Sequence, residues 1–341
     1  MDLAIELIDV AAKSGANAVK FQTFKAENLV TKEAKQAAYQ IENIGKVSSQ
    51  FQMLKDLEFS YEEFRQLKAH CDQRHIEFLS TPFDSASVKF LVDELKVNKI
   101  KVSSGDLTNT PLLHYIATKR KPVILSTGMA TMQDIHEALA IIAYGMAYPN
   151  EEVSLMKVKS FYETKKSKEI LNEMVSILHC TTEYPTPIER VNLNAINFLE
   201  QELGLNTGYS DHTEGIFVSI AAAAKGAKII EKHFTLNRLL EGPDHRASLE
   251  PEELEEMIKA IRSTEKALGT PEKKPNEIEI KNREAARKSV VALKEIKIGE
   301  EFTKENLTIK RPGSGMPPSS YWSLIGLSAS KAYQEDEFIV E

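Results

Sequence analysis

Pro122-Val123-Ile124-Leu125-Ser126-Thr127 decides how this chain is read. Four apolar residues in a row, two of them β-branched, make a strand that is buried on both faces. The run ends abruptly on two hydroxyls, and an amphipathic helical stretch over residues 132–142 follows. The same unit recurs on either side. Strand-like runs are expected over residues 18–22, 76–79, 100–102, 122–125, 175–178 and 228–230, with a weaker one ending at Gly208-Tyr209. Helical stretches such as 61–74 lie between them. Near-continuous apolar strands alternating with helices imply a parallel sheet covered on both sides. Seven such units within about 235 residues point to an α/β fold of the (β/α)₈ TIM-barrel type rather than an open sheet. Seven is one short of eight. Asp2 is expected to cap a helix running to Ala12, which leads straight into the run at 18–22, so the barrel's first strand is expected to be lacking from this chain.

Residues 269–282 are rich in Lys, Glu and Pro and read as a linker. The expected division is a barrel domain over 1–268, the linker, and a small β-rich domain over 283–341 with strands at 289–293 and 307–310. The segment 147–172, long and charged, reads as a surface insertion. It joins a helix to the next strand, so it belongs to the face of the barrel opposite the chemistry.

The bulk numbers exclude several classes. The 341 residues carry a formal net charge of -7, with 42% hydrophobic and 27% charged residues. A mildly acidic protein has no general attraction for nucleic acid or for an anionic membrane. Two cysteines, Cys71 and Cys180, stand far apart and form neither a disulfide framework nor a zinc knuckle. No apolar run approaches a membrane span, and the first residues are acidic where a signal peptide is basic. A cytoplasmic setting is expected.

In a parallel barrel the chemistry sits where the strands end. Those ends carry Lys20 and Gln22; Ser80-Thr81; Lys101 with Ser103-Ser104; Ser126-Thr127; His179 with Thr181; Ser210-Asp211-His212; and Glu231 with His233. Each Ser or Thr alone reads equally as a turn former or helix cap. The repetition across seven ends is harder to dismiss. His212 and His233 end adjacent units. Singly each reads as a packed core histidine; together they offer two imidazoles to Mn²⁺, Mg²⁺, Fe²⁺ or Zn²⁺. Lys20 and Lys101 interrupt apolar strands, which is costly unless each meets an anion. That anion is either a bound phosphate or carboxylate, or an internal partner such as Glu231. Gly242-Pro243-Asp244-His245 turns after the last barrel strand, with Asp244 either over the mouth or capping a helix. Arg311-Pro312-Gly313-Ser314-Gly315 presents an arginine that is otherwise a solvated turn residue.

Taken in order, these segments resemble the sialic acid (N-acetylneuraminate) synthases and their legionaminate-type relatives. The strings are Val19-Lys20-Phe21-Gln22-Thr23-Phe24-Lys25, Ser80-Thr81-Pro82-Phe83-Asp84, Ser126-Thr127-Gly128-Met129, His179-Cys180-Thr181 with Tyr184-Pro185-Thr186-Pro187, Ser210-Asp211-His212, Glu231-Lys232-His233-Phe234-Thr235, Gly242-Pro243-Asp244-His245 and Lys310-Arg311-Pro312-Gly313. The tail is similar to that family's antifreeze-like domain. The resemblance implies condensation of phosphoenolpyruvate with N-acetylmannosamine or a related N-acetylated amino sugar, with a divalent metal, Mn²⁺ or Mg²⁺. It implies His212 and His233 as metal ligands. Lys20, Thr81, Lys101, Ser104, Ser126 and Ser210 would hold phosphoenolpyruvate, with Gln22 and Thr182 as further substrate contacts. Tyr184 and Asp244 would lie near the sugar, and Arg311 would reach the site of the second subunit in a domain-swapped homodimer. Nothing here matches the family's Glu-Ile-Gly-x-Asn-His-like motif. The alternatives are another phosphoenolpyruvate–aldose condensing barrel, such as a 3-deoxy-octulosonate phosphate synthase, and an inactive sugar-binding subunit. The acceptor sugar and the physiological metal are not legible.

Overall fold

Seven parallel strands carry the larger part of the chain: β1 (Ala18–Thr23), β2 (Glu77–Pro82), β3 (Ile100–Val102), β4 (Val123–Ser126), β5 (Val175–Cys180), β6 (Asn206–Asp211) and β7 (Ile230–Lys232). The computed structural model describes residues 1–37, 40–41 and 49–341. Strand order follows chain order, with β1 paired to β2 and β3 through β7 forming one continuous sheet. β2 lies beside β3, so the seven strands curl as a parallel sheet of the TIM-barrel type. β1 and β7 share no ladder among the described residues; they meet through side chains instead.

Helices start where their caps say they should. Ser60 and Glu63 form a capping box at Tyr61–Gln73, and Thr131 and Asp134 form another at Met132–Ala147. The cap of the helix Asp2–Ser14 lies one residue earlier than expected: Met1 is the N-cap, and Asp2 sits in the first turn, favourable for the helix dipole. β6 is the strand its own residues advertise least, since Asn206-Thr207-Gly208 has little strand propensity. It forms because β5 and β7 enclose it. A Cβ on Gly208 would lie 2.4 Å from the Ile229 carbonyl oxygen, so the close approach requires glycine.

Two sequence expectations need correction. Segment 147–172 is not a plain surface excursion. It forms two further helices, Leu155–Tyr162 and most of Lys165–Met174. Val158, Phe161 and Leu171 from these helices belong to the main core. The charge that suggested a surface loop belongs to the outer faces of amphipathic helices. Likewise the expected linker is helical from Glu277, with Asn276 and Glu279 as its capping box; the helix Glu277–Ala286 buries none of its residues, so composition alone hides it.

By its contacts the chain divides into two compact units, Met1–Gly269 and Thr270–Glu341. The second has its own core of Val290, Ala292, Ile296, Phe302, Leu307, Leu324, Ala329, Tyr333 and Ile339. Its strands β8 (Ser289–Ala292) and β9 (Leu307–Lys310) pair antiparallel. Among the described residues no helix is long and apolar enough to cross a membrane.

Candidate active site

Alternation along the strands builds the site in layers. Successive side chains of a strand face opposite ways. Leu79, Ile124 and Leu178 meet inside the curled sheet with Ala18 and Ile229 packed against them, an apolar floor. Two residues further along each strand, the same inward face carries Lys20, Thr81, Ser126, Cys180 and Glu231, and Lys101 joins them from β3. The outward faces carry the apolar residues that pack under the helices, among them Val19, Phe78, Ile100, Val102, Val123, Leu125 and Ile177. The sequence therefore turns polar inside the barrel at the strand ends.

The polar layer centres on one carboxylate. Glu231 meets Lys20 Nζ at 2.8 Å and Lys101 Nζ at 3.7 Å, and accepts a hydrogen bond from Ser210 Oγ at 2.8 Å. Burial alone would raise the Glu231 carboxyl; Lys101 and Lys20 outweigh it and hold the group below the usual carboxylate range. Lys101 also donates to Ser126 Oγ at 2.5 Å and to the Val102 carbonyl at 3.1 Å. Burial lowers its ammonium to about 8, with Glu231 opposing the shift. Both sequence readings of the lysines thus meet here. The internal ion pair with Glu231 exists, and two cations share one carboxylate, leaving positive charge to hold a further anion.

His212 and His233 converge. Their ring centroids stand 5.6 Å apart at 78°, and Tyr184 lies over His212 at 4.1 Å and edge-on to His233 at 5.7 Å. His212 Nδ1 is 2.7 Å from the Thr181 carbonyl oxygen, which can only accept, so Nδ1 carries the proton and Nε2 presents a lone pair. Burial keeps both rings neutral, lowering His212 to about 4 and His233 to about 3, the latter with help from Lys20. Neutral imidazoles are the form that binds a cation. Among the described residues no three His, Cys, Asp or Glu side chains cluster to hold a metal. A cation here would complete its sphere with substrate and water oxygens, which suits Mn²⁺ or Mg²⁺ in a site open to ligand exchange.

A second corner lies beside the lysines. Ser104 Oγ accepts from the Gly128 amide at 2.9 Å and stands 3.1 Å from Cys180 Sγ. Thr182 Oγ1 is buried with no hydrogen-bond partner among the described residues. A Cβ on Gly128 would sit 2.4 Å from that oxygen and 2.9 Å from both Cys180 Sγ and Ser104 Oγ. An orphaned buried hydroxyl is a cost that a bound anion would remove. Gly128 and Cys180 stand in the sequence only inside longer strings and carry no role there; the glycine next to Ser126-Thr127 is the available signal.

The remaining candidates fall at different depths. Thr81 is buried and Gln22 exposed on the same inward face. Asp244 Oδ2 lies 3.8 Å from His233 Nδ1, and burial raises its carboxyl. Arg311 belongs to the other unit, where it is exposed and makes no hydrogen bond or ion pair among the described residues. The glycines after it are explained locally: a Cβ on Gly313 would meet Arg287 Cβ at 2.6 Å, and one on Gly315 would meet Phe338 at 2.6 Å. Their small size serves packing within their own unit.

Comparison with known proteins covers nearly the whole chain. Residues 7–273 match the NeuB family and residues 287–341 the SAF domain. The N,N'-diacetyllegionaminic acid synthase of Campylobacter jejuni is 44% identical over 341 residues, all of this chain and 95% of that protein. The enzyme of the same name from Legionella pneumophila is 40% identical over 96% of this chain and 85% of its own length. The crystal structure of N-acetylneuraminic acid synthetase from Leptospira borgpetersenii, in complex with citrate, superposes with a TM-score of 0.65 at 32% identity, covering 82% of this chain and 84% of that one.

Proposed function

The chain belongs to the NeuB family, and on that premise we propose that it condenses phosphoenolpyruvate with an N-acetylated amino-sugar aldehyde, releasing phosphate and forming a nine-carbon 2-keto sugar acid. The observation that carries this reading is the meeting, in one barrel interior, of a lysine and hydroxyl cradle with a neutral histidine pair. The whole-length likeness to two N,N'-diacetyllegionaminic acid synthases supports a 2,4-diacetamido-6-deoxymannose as acceptor in preference to N-acetylmannosamine.

Lys20 and Lys101 hold the carboxylate and phosphate of the enol, taking charge now directed at Glu231. Ser104, Ser126 and Thr182 bind phosphate oxygens, with Thr81, Ser210 and Gln22 lining the same face. Asp244 and Tyr184 border the acceptor beside the histidines. His212 and His233 would hold a divalent cation through their neutral ring nitrogens, and such a cation would supply Lewis-acid polarisation of the aldehyde oxygen. The enol carbon attacks the aldehyde carbon, positive charge develops at the enol C2, water adds there, and phosphate leaves with its bridging oxygen. Holding the two reactants in contact removes much of the entropic barrier. The protein acts as a homodimer in which Arg311 reaches the acceptor in the partner's site, a fork of donors suited to amide and hydroxyl oxygens.

The test is phosphate release from phosphoenolpyruvate with Mn²⁺ and a panel of aldehydes, with the product identified by mass. The diacetamido sugar should give the highest kcat/KM and a nine-carbon keto acid. Turnover confined to phosphorylated sugars, or none with any N-acetylated sugar, would refute the reading.

A further inference from the structure

The two residues that precede the histidines form a site of their own on the opposite face of the sheet. Asp211 and Lys232 are paired partners across the β6–β7 ladder. Because side chains alternate, their neighbours His212 and His233 point inward while they point outward. Asp211 Oδ2 and Lys232 Nζ stand 3.1 Å apart, and their side chains are 0% and 1% exposed. Both carboxylate oxygens are held further. Oδ1 accepts from the Thr213 amide at 2.9 Å and from Thr213 Oγ1 at 2.7 Å; Oδ2 accepts from Ser219 Oγ at 2.6 Å. Lys232 Nζ donates in turn to the Thr213 carbonyl at 2.5 Å. One buried ion pair therefore ties β7, the end of β6, the turn that follows His212, and the helix Phe217–Ala224.

A pair so enclosed is weak evidence for stability, because desolvation offsets its attraction. Its consequence is geometric. A slip of one residue between β6 and β7 would turn one histidine away from the other and break the buried pair. We propose that Asp211 and Lys232 are positioning residues, locking the β6–β7 register so that His212 and His233 present their nitrogens to one cation. This rests on the reading of the two histidines as metal ligands.

The experiment titrates the intact chain with Mn²⁺ by calorimetry and records the visible spectrum of bound Co²⁺, whose band positions report coordination geometry. The variants are Asp211→Asn, Lys232→Gln and their combination, with His212→Ala as the ligand control. Phe161→Ala, a core change remote in sequence from the pair, shows what loss of stability alone does. Each pair variant should lose at least about tenfold in Mn²⁺ affinity and shift the Co²⁺ bands, the range seen for groups that orient metal ligands. Phe161→Ala should keep parental affinity despite a lower Tm. If the single variants do not fold, the double variant, free of any lone buried charge, must show the loss. Parental affinity and spectrum in the folded pair variants, with binding lost in His212→Ala, would overturn the inference alone. Parental affinity in His212→Ala would overturn the metal reading and this inference together.

Discussion

At the scale of single residues, burial sets how the site responds to pH. His212 and His233 stay neutral well below the usual imidazole value. Between pH 7.5 and 5.5 an unperturbed histidine pair would lose roughly 100-fold in cation affinity to proton competition. Here Mn²⁺ affinity should change less than about threefold over that range, as calorimetry at each pH would show. The sign for stability is the reverse. As pH falls below about 6.5, the unfolded histidines take up protons that the folded ones refuse, so the metal-free fold loses about 1.4 kcal/mol per histidine per pH unit until the folded values near 4 and 3 are reached. A Tm that is flat from pH 6.5 to 5 would contradict this. Replacing either histidine with alanine should abolish Mn²⁺ binding. Gly128→Ala tests the other corner: its methyl would press on Thr182 and Ser104. Overpacking of this kind costs about 1–3 kcal/mol, and KM for phosphoenolpyruvate should rise more than about tenfold with Mn²⁺ affinity unchanged. The types of these residues are visible in the sequence, and so is the pairing of the histidines. The Thr182 orphan and the glycine that makes room for it are not, because neither exists until β4 and β5 lie side by side.

At the scale of elements, the two short helices that precede β5 are part of the core although their composition is that of a surface. Phe161 packs against Tyr148 at 5.2 Å and Tyr144 at 6.3 Å and is 9% exposed. Phe161→Ala should cost about 3–5 kcal/mol and leave KM for both substrates within about twofold, because these helices lead into the start of β5 and the chemistry sits at its other end. Denaturant unfolding and steady-state kinetics read the two separately; a large rise in KM would show that the segment touches the site. The strands are legible because buried parallel strands are continuous apolar runs. The short helix at 165–174 is obscured by Lys165-Lys166 and Glu169, exposed charges on a helix whose other face is in the core. The helix from Glu277 is hidden for the same reason carried further, as it buries none of its residues.

At the scale of the whole molecule, the placement of Arg311 in its own compact unit sets the test of exchange between subunits. Arg311→Ala and His233→Ala are each expected to be inactive. Mixed and refolded together, they should recover activity if the arginine of one chain serves the barrel of the other, since one intact barrel then meets one intact arginine. No recovery in verified mixed dimers would mean that each arginine serves its own chain. Sequence by itself determined the strand-helix alternation, the small β-rich unit, the inward polar ends and the order of motifs that places the chain in its family. These are local properties, written in periodicity and spacing. Only the tertiary structure decided that Glu231 is shared by Lys20 and Lys101, that Tyr184 lies on His212, and that Asp211 meets Lys232 behind the histidines. Each of these joins residues from different strands or loops, and which side chains share a face is settled by register and curl of the sheet, quantities that no single segment carries.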